Sequence, residues 1–416
     1  MTLIVDSEEL AAFCQRQEGV DFVAVDTEFM RDKTYWPKLC LVQVAGPDEA
    51  VCIDTMAPGI DLKPLWRLVT ESPVLKVFHA ARQDIEIFVH QAKRMPHPIY
   101  DTQVAAMVCG FGDSVAYDTL VAKLAGARID KSSRYTDWQH RPLNARQLDY
   151  ALSDVVHLRK VYTKLARKLE ANGRAHWLDD ELAGLVDPAI YRTDPEVAWE
   201  RIKVRGGNPK FLAVLRELAA WREREAQRRD IPRSRIIRDD SMLDVAAHPP
   251  ATIEELARGR GVGRGVAEGK LGADILAAVK RGLDSDPATW PKLPPRIELP
   301  QGLGPLVDLL RVLLKTRCEQ NDVAQRLVAN TEDLEFIAAD DHADVPALKG
   351  WRREVFGEDA LALKHGRLAL AAEGAQVKLI PLAPQGRPVL SEVVASEGPG
   401  RDSAPQPLPQ AAAGGE

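Results

Sequence analysis

The chain has 416 residues, 45% hydrophobic and 28% charged, with a formal net charge of −6. That supplies apolar material for two or three packed domains. It excludes a uniformly basic nucleic-acid binder while leaving room for local basic faces. No run approaches the ~18 apolar residues of a membrane span, and "MTLIVDSEELAAF" does not read as a secretory signal. The five cysteines (Cys14, Cys40, Cys52, Cys109, Cys318) are scattered without a CxxC pair, so reduced thiols in a cytoplasmic protein without structural zinc are expected.

Three strands are expected in the first 60 residues, at about 20–26, 38–45 ("KLCLVQVA") and 50–54, with short links that favour antiparallel neighbours. A helix near 62–70, the strand "VLKVF" (74–78), a helix over about 82–93 and a short strand near 98–100 follow. Strand–helix–strand order implies parallel pairing, so the sheet is mixed with helices packed on it. A long helix over about 145–168 carries an apolar stripe at Ala151, Val155, Leu158, Tyr162 and Leu165. From residue 178 the pattern is helical. In "GGNP" Asn208 can cap and Pro209 can open a helix; helices follow near 209–229, 239–247, 252–258 and 266–282. "DSDPATWPKLPPRIELP", with five prolines, reads as a linker. The organisation expected is an α/β domain over 1–170, a connector over 171–206, a bundle over 207–284, a linker over 285–300, a second helical unit over 301–372 and a disordered tail over 385–416.

The chemistry begins at "FVAVDTEFMR", where an apolar strand meets Asp26 and Glu28. Two residues apart on a strand, their side chains project from one face. Adjacent buried carboxylates repel one another. Asp84 follows a strand and lies in the first turns of a helix, in "VFHAARQDIEIF"; Tyr150 and Asp154, four apart in "YALSD", share a face of the long helix. Singly, each acid reads as a turn or cap residue and Tyr150 as a core tyrosine. Together they suit divalent cations, which prefer hard carboxylate oxygens, and paired ions suit phosphodiester cleavage.

"DTEF", "FHAARQD" and "YALSD" resemble the three motifs of the DEDD 3′→5′ exonucleases, in the subclass with tyrosine in the third motif. "KLCLVQVA", "IYDTQVAA" and "DWQHRPLNARQLDYALSDV" resemble, within them, the ribonuclease D family. The helical unit after residue 208 resembles the HRDC module, and the unit over 301–372 does so more weakly. The resemblance implies an α/β ribonuclease-H-like exonuclease domain followed by one or two all-α HRDC-like bundles. It implies two divalent ions, Mg²⁺ or Mn²⁺. Asp26 would bridge both, Glu28 and Asp154 would complete one site, Asp84 would hold the second ion, and Tyr150 would hydrogen-bond the attacking water. The partner implied is RNA, tRNA precursors first, with no membrane and no required protein partner. The rivals are a DNA exonuclease of the same chemistry and a non-catalytic nucleic-acid-binding scaffold.

Other residues point to RNA contact. Phe29 beside the acids and Trp138 in "DWQHRP" could stack on bases, and Arg141 could touch phosphate. The "DTQ" run at 101–103 could support the acids. "GRGVGRG" (259–265) lacks the Gly-Lys-Ser/Thr ending of a phosphate loop. Residues 205–238 hold ten basic against four acidic side chains, Arg222, Arg229 and Arg233 among them. On that count a fragment ending near residue 205 is expected to keep the chemistry and bind RNA less tightly.

Overall fold

The computed structural model describes residues 2–204, 206–293 and 299–382. The middle of the proline-rich linker and the tail expected to be disordered lie outside the described residues. The sheet runs β1 (Thr2–Ile4), β2 (Phe22–Met30), β3 (Lys38–Ala45), β4 (Ala50–Ile53), β5 (Leu75–Phe78) and β6 (Ile99–Asp101) in sequence, and β1-β4-β3-β2-β5-β6 in space. The short links make β2, β3 and β4 antiparallel, and the helical crossovers make β2, β5 and β6 parallel, as the sequence led us to expect. Helix α1 (Ser7–Arg16), which the sequence reading missed, is capped by the Asp6 carboxylate accepting from the amides of Glu8 and Glu9.

Strand β2 does not end at its first acid. It continues to Met30 because β3 pairs with it throughout, with a register shift between Glu28 and Phe29. On one face, Val23, Val25, Val42 and Val44 pack with Ile85 and Phe88 of α3 (Arg82–Ala92) and Leu65 of α2 (Lys63–Thr70). On the other, Ala24, Ala45 and Val77 meet Val155 and Leu158; small strand residues let that helix lie close. Two further helices, α4 (Thr102–Val108) and α5 (Tyr117–Leu120), precede this long one, α6 (Ala145–Ala171), which starts at a capping box between Asn144 and Gln147. In its stripe Tyr162 is half-buried and Val161 fills the core instead.

After α7 (Trp177–Leu185), α8 (Pro209–Arg229) opens where Asn208 accepts from the Phe211 amide at 2.8 Å. It packs with α9 (Arg233–Ile236), α10 (Asp239–Ala247) and helices over 253–284. The last unit has helices Gly304–Gln320, Thr331–Ala339 and Glu358–Lys364. It closes on a hairpin, Leu368–Glu373 with Gln376–Pro381: the first strand falls in the unit expected to be helical over 301–372, and the second lies beyond it, where no element was expected. Among the described residues, no helix is long and apolar enough to cross a membrane, and all five cysteines are buried and free.

Both helical units are packed into the α/β domain. Tyr35 and Trp36, in the β2–β3 loop, join the core of the first unit. The Asp230 carboxylate accepts from both their backbone amides at 3.0 Å. The Tyr35 hydroxyl donates to Glu223, which Arg233 also grips. The second unit shares a core with α4, α6 and α7: Trp351 stacks on Trp177 at 4.2 Å, and the Ala324 amide donates to the Met107 carbonyl at 2.9 Å. Gly110, at φ +78°, sits so close to the Asp322 backbone that a Cβ would lie 2.9 Å from it. This packing changes the expectation for the fragment ending near residue 205: it bares Tyr35, Trp36, Trp177 and Met107. We predict that it self-associates and melts well below the whole chain. Gel filtration and a thermal melt test this; a monomer that melts with the whole chain would show the interfaces to be dispensable.

Candidate active site

Asp26 and Glu28 occupy alternate positions of β2, on the α6 face with Phe22 and Ala24. Asp154 descends to them from α6, held at depth by Ala151, Val155 and Leu158 on the same stripe. The three carboxylates can bring one oxygen each within 4.8 Å of one another. Asp84 lies outside that trio. It enters from the first turn of α3 and accepts a hydrogen bond from the Thr27 hydroxyl, between the two strand acids.

The turn that presents Asp84 is clamped from β6. Ala80 sits in the left-handed region at φ +59°. The Asp101 carboxylate accepts from the amides of Ala80 and Ala81 at 2.9 and 2.8 Å and from Gln103 at 2.8 Å. Thr102 donates to the Phe78 carbonyl at 3.0 Å, and His79 Nδ1 lies 3.0 Å from its hydroxyl. The "DTQ" run thus supports the acids by fixing backbone. On α6, the Asp154 carbonyl accepts from the Tyr117 hydroxyl, a residue the sequence gave no reason to choose.

Electrostatics follow from this crowding. Burial, then the charges of Asp26, Asp154 and Asp84, push the Glu28 carboxyl up to about 10. Burial and then Asp26 raise Asp154 to about 8, with the Tyr150 hydroxyl and Arg134 pulling the other way. Burial raises Asp26 to about 7, and burial with the Asp26 charge holds Asp84 well above the carboxylate range. The Tyr150 phenol is raised by burial and by Asp154 and Glu28.

These groups line a cleft of about 640 Å³, together with Phe29, His79, Gln83, Tyr117, Lys131, Arg134 and Tyr135. Of the expected RNA-contact residues, Phe29 lies in this wall, half-exposed. The others are less available. Trp138 borders the cleft but is only 2% exposed, so it offers a base little surface. Arg141 is committed to Asp54, with two contacts of 2.7 Å, and to the carbonyls of Cys40 and Trp138. Arg222 is buried against the Ile237 carbonyl and Asp239, and Arg233 grips Glu223. Arg229 is exposed but leans on Glu225 at 3.6 Å, on a helix outside the cleft lining. The aromatic offered at the cleft is Tyr135, 88% exposed, with the Arg134 guanidinium 5.2 Å from its ring centre.

The donor set fits a divalent cation. It offers only hard oxygens, and among the described residues no lysine or arginine makes a salt bridge to Asp26, Glu28, Asp84 or Asp154. The four folded-state values lie above those of an unfolded chain. Without metal, the folded state therefore binds more protons, and stability falls as pH rises from about 4 through the raised values. We predict that in chelator the melting temperature drops between about pH 5 and pH 8, that Mg²⁺ restores more at the higher pH, and that Asp26→Asn with Glu28→Gln flattens the profile. An equally steep profile in that variant would place the titration elsewhere.

A 3′-5′ exonuclease family model matches residues 1–170, and an HRDC domain model matches 211–279. The chain is 52% identical over 380 residues to the ribonuclease D of Granulibacter bethesdensis, covering 91% of this chain and 96% of that one. It is 54% identical over 377 residues to that of Nitrobacter hamburgensis, covering 91% and 98%. Escherichia coli RNase D, described as an exoribonuclease involved in structured RNA processing, superposes with a TM-score of 0.73 at 28% identity over 88% of this chain and 99% of that one. With likeness running through the exonuclease and helical regions alike, the chain belongs to the ribonuclease D family.

Proposed function

We propose that this 3′→5′ exoribonuclease trims the 3′ ends of structured RNAs in the cytoplasm, tRNA precursors first, releasing nucleoside 5′-monophosphates. We further propose that it uses two ions, Mg²⁺ or Mn²⁺, and that the unit over 301–372 is a second HRDC-like domain. The observation that carries the reading is the convergence of Asp26, Glu28 and Asp154 with Asp84 alongside, in a chain at least 52% identical to two ribonucleases D over 91% of its length. The E. coli relative's described role in structured RNA processing supports the substrate class.

Asp26, Glu28 and Asp154 would hold one cation and Asp84, with Asp26, a second. Divalent cations supply charge neutralisation at the phosphate and make a water acidic enough to attack near neutral pH. The chain's own groups do the rest. The raised Tyr150 phenol stays protonated at neutral pH, so it orients the attacking water together with Glu28 and does not act as a base. The water oxygen bonds to phosphorus, the bond from phosphorus to the 3′ oxygen breaks, and that oxygen leaves with a proton. Phe29 and Tyr135 offer faces to the terminal bases, and Arg134, which lines the same cleft as the acids, is placed to meet the phosphate.

Digestion of 3′-labelled and 5′-labelled RNA and DNA, with and without metal, tests direction, sugar and metal need together. We expect label loss from the 3′ end of RNA only when metal is present; faster cleavage of DNA would overturn the assignment of substrate. We predict that Tyr150→Phe lowers single-turnover cleavage by roughly 10²–10⁴ with metal and RNA affinity nearly unchanged. Unaltered cleavage would reduce Tyr150 to a packing residue.

A further inference from the structure

A second trough lies beside the catalytic cleft, about 440 Å³ in volume, lined by Phe22, Leu124, Ala125, Arg159, Lys160, Thr163, Lys164 and Arg167. Two of the cleft's elements also line it. Helix α6 carries Tyr150, Asp154 and Leu158 into the cleft and Arg159 to Arg167 into the trough. The segment after α5 gives Ile129, Lys131 and Arg134 to the cleft and Leu124 and Ala125 to the trough. From Asp154 to Arg167 the helix advances about 20 Å. We propose that this trough is a phosphate track, binding the RNA strand on the 5′ side of the nucleotide being removed.

The charge that matters is the charge left unpaired. Arg159 forms the floor: it donates to the carbonyls of Phe22 and Ala45 at 3.0 and 3.1 Å and lies 4.1 Å over the Phe22 ring. Lys160, Lys164 and Arg167 are exposed, and among the described residues none makes a salt bridge. At i, i+4 and i+7 they share one helix face. Arg128, also exposed and unpaired, stands on the segment between trough and cleft. The stretch with the highest basic count behaves differently: of its nine described cations, six pair with carboxylates. A solvated helix face is the ordinary fate of surface lysines. Here the cations rim a concavity lined by two of the elements that also line the active site. Favourable interaction with the helix dipole reaches only the last turn, so it does not explain Lys160 and Lys164. Phosphate neutralisation is independent of sequence, which suits an enzyme that meets each successive nucleotide.

The track rests on the exoribonuclease reading, and the test separates the two. The full-length variant Lys160→Gln/Lys164→Gln/Arg167→Gln is compared with wild type on a trinucleotide and on a single-stranded RNA of about 20 nucleotides. Turnover is measured with metal, and binding of the longer RNA in chelator between 50 and 200 mM salt. Turnover of the trinucleotide should stay within about twofold, because no group of the cleft is altered. Three lost contacts should reduce the salt slope by about 2, so over that range wild type should lose about twentyfold more affinity than the variant. An unchanged slope overturns the track, and so does an equal loss of turnover on the trinucleotide. Wild type that cleaves neither RNA would refute the exoribonuclease reading, while the binding slopes would still decide the track.

Discussion

Three carboxylates within reach of one another, with a fourth alongside, would fly apart or take up protons unless the fold held them, and much of the α/β domain can be understood as the means of holding them. Each acid sits on an element whose position is fixed by burial elsewhere. Asp26 and Glu28 ride on the central strand, bonded on both sides. Asp154 hangs from a 27-residue helix whose apolar stripe runs far past the site. Asp84 is set by a turn that Asp101 grips through two amides. The repulsion is thus borne by hydrophobic packing and backbone hydrogen bonds, and among the described residues no lysine or arginine forms a salt bridge to the acids. A site arranged this way favours a divalent ion over a lysine, which would quench the charge that the ion needs.

The same logic extends to the helical units. The loop joining β2 to β3 lies just past Glu28 and Phe29, and its tip is buried in the first helical unit through Tyr35 and Trp36. Glu223, 1% exposed, is satisfied by Arg233 and by the Tyr35 hydroxyl together, so the polar contact forms only when the loop is docked. A buried ion pair of this kind adds little net stability. What it does is specify one seat for the loop. The strand bearing two acids is therefore braced at its far end by a different unit, and the geometry of the site is not a property of the α/β domain alone.

Much of this was legible before any coordinates. Asp26, Glu28, Asp84, Tyr150 and Asp154 were found because a strand period of two and a helix period near four put acids where acids are costly, and the family resemblance joined them. What escaped had weaker signatures. Helix α1 was hidden behind a short apolar start, although Asp6 followed by Glu8 and Glu9 is a fair cap signal. In the terminal hairpin the first strand, "LALAAE", is half alanine, so its alternation had little contrast and helix propensity prevailed, while "QVKLIP" lay past the expected unit. Trp138 and Arg141 looked like ligand contacts because Trp and Arg often are. Their commitments to the core and to Asp54 depend on residues nearly a hundred positions away, which no local pattern reveals.

The basic residues teach the more general lesson. A count along the sequence favours residues 205–238, yet positive charge attracts RNA only where it is not already spent. Arg222, Arg224, Arg228 and Arg233 each face a carboxylate, so the field they present to solvent is small. On α6 the same residue types stand one to two turns apart, and among the described residues none of them has a salt-bridge partner. A chain with net charge −6 can engage a polyanion provided its free cations lie where the substrate must pass and its acids lie where a cation will sit. Helix α6 satisfies both conditions at once. Its first turns bring Tyr150 and Asp154 to the reacting phosphate, and its later turns carry bare cations along a trough. One rigid element thereby fixes the distance between the chemistry and the strand that feeds it.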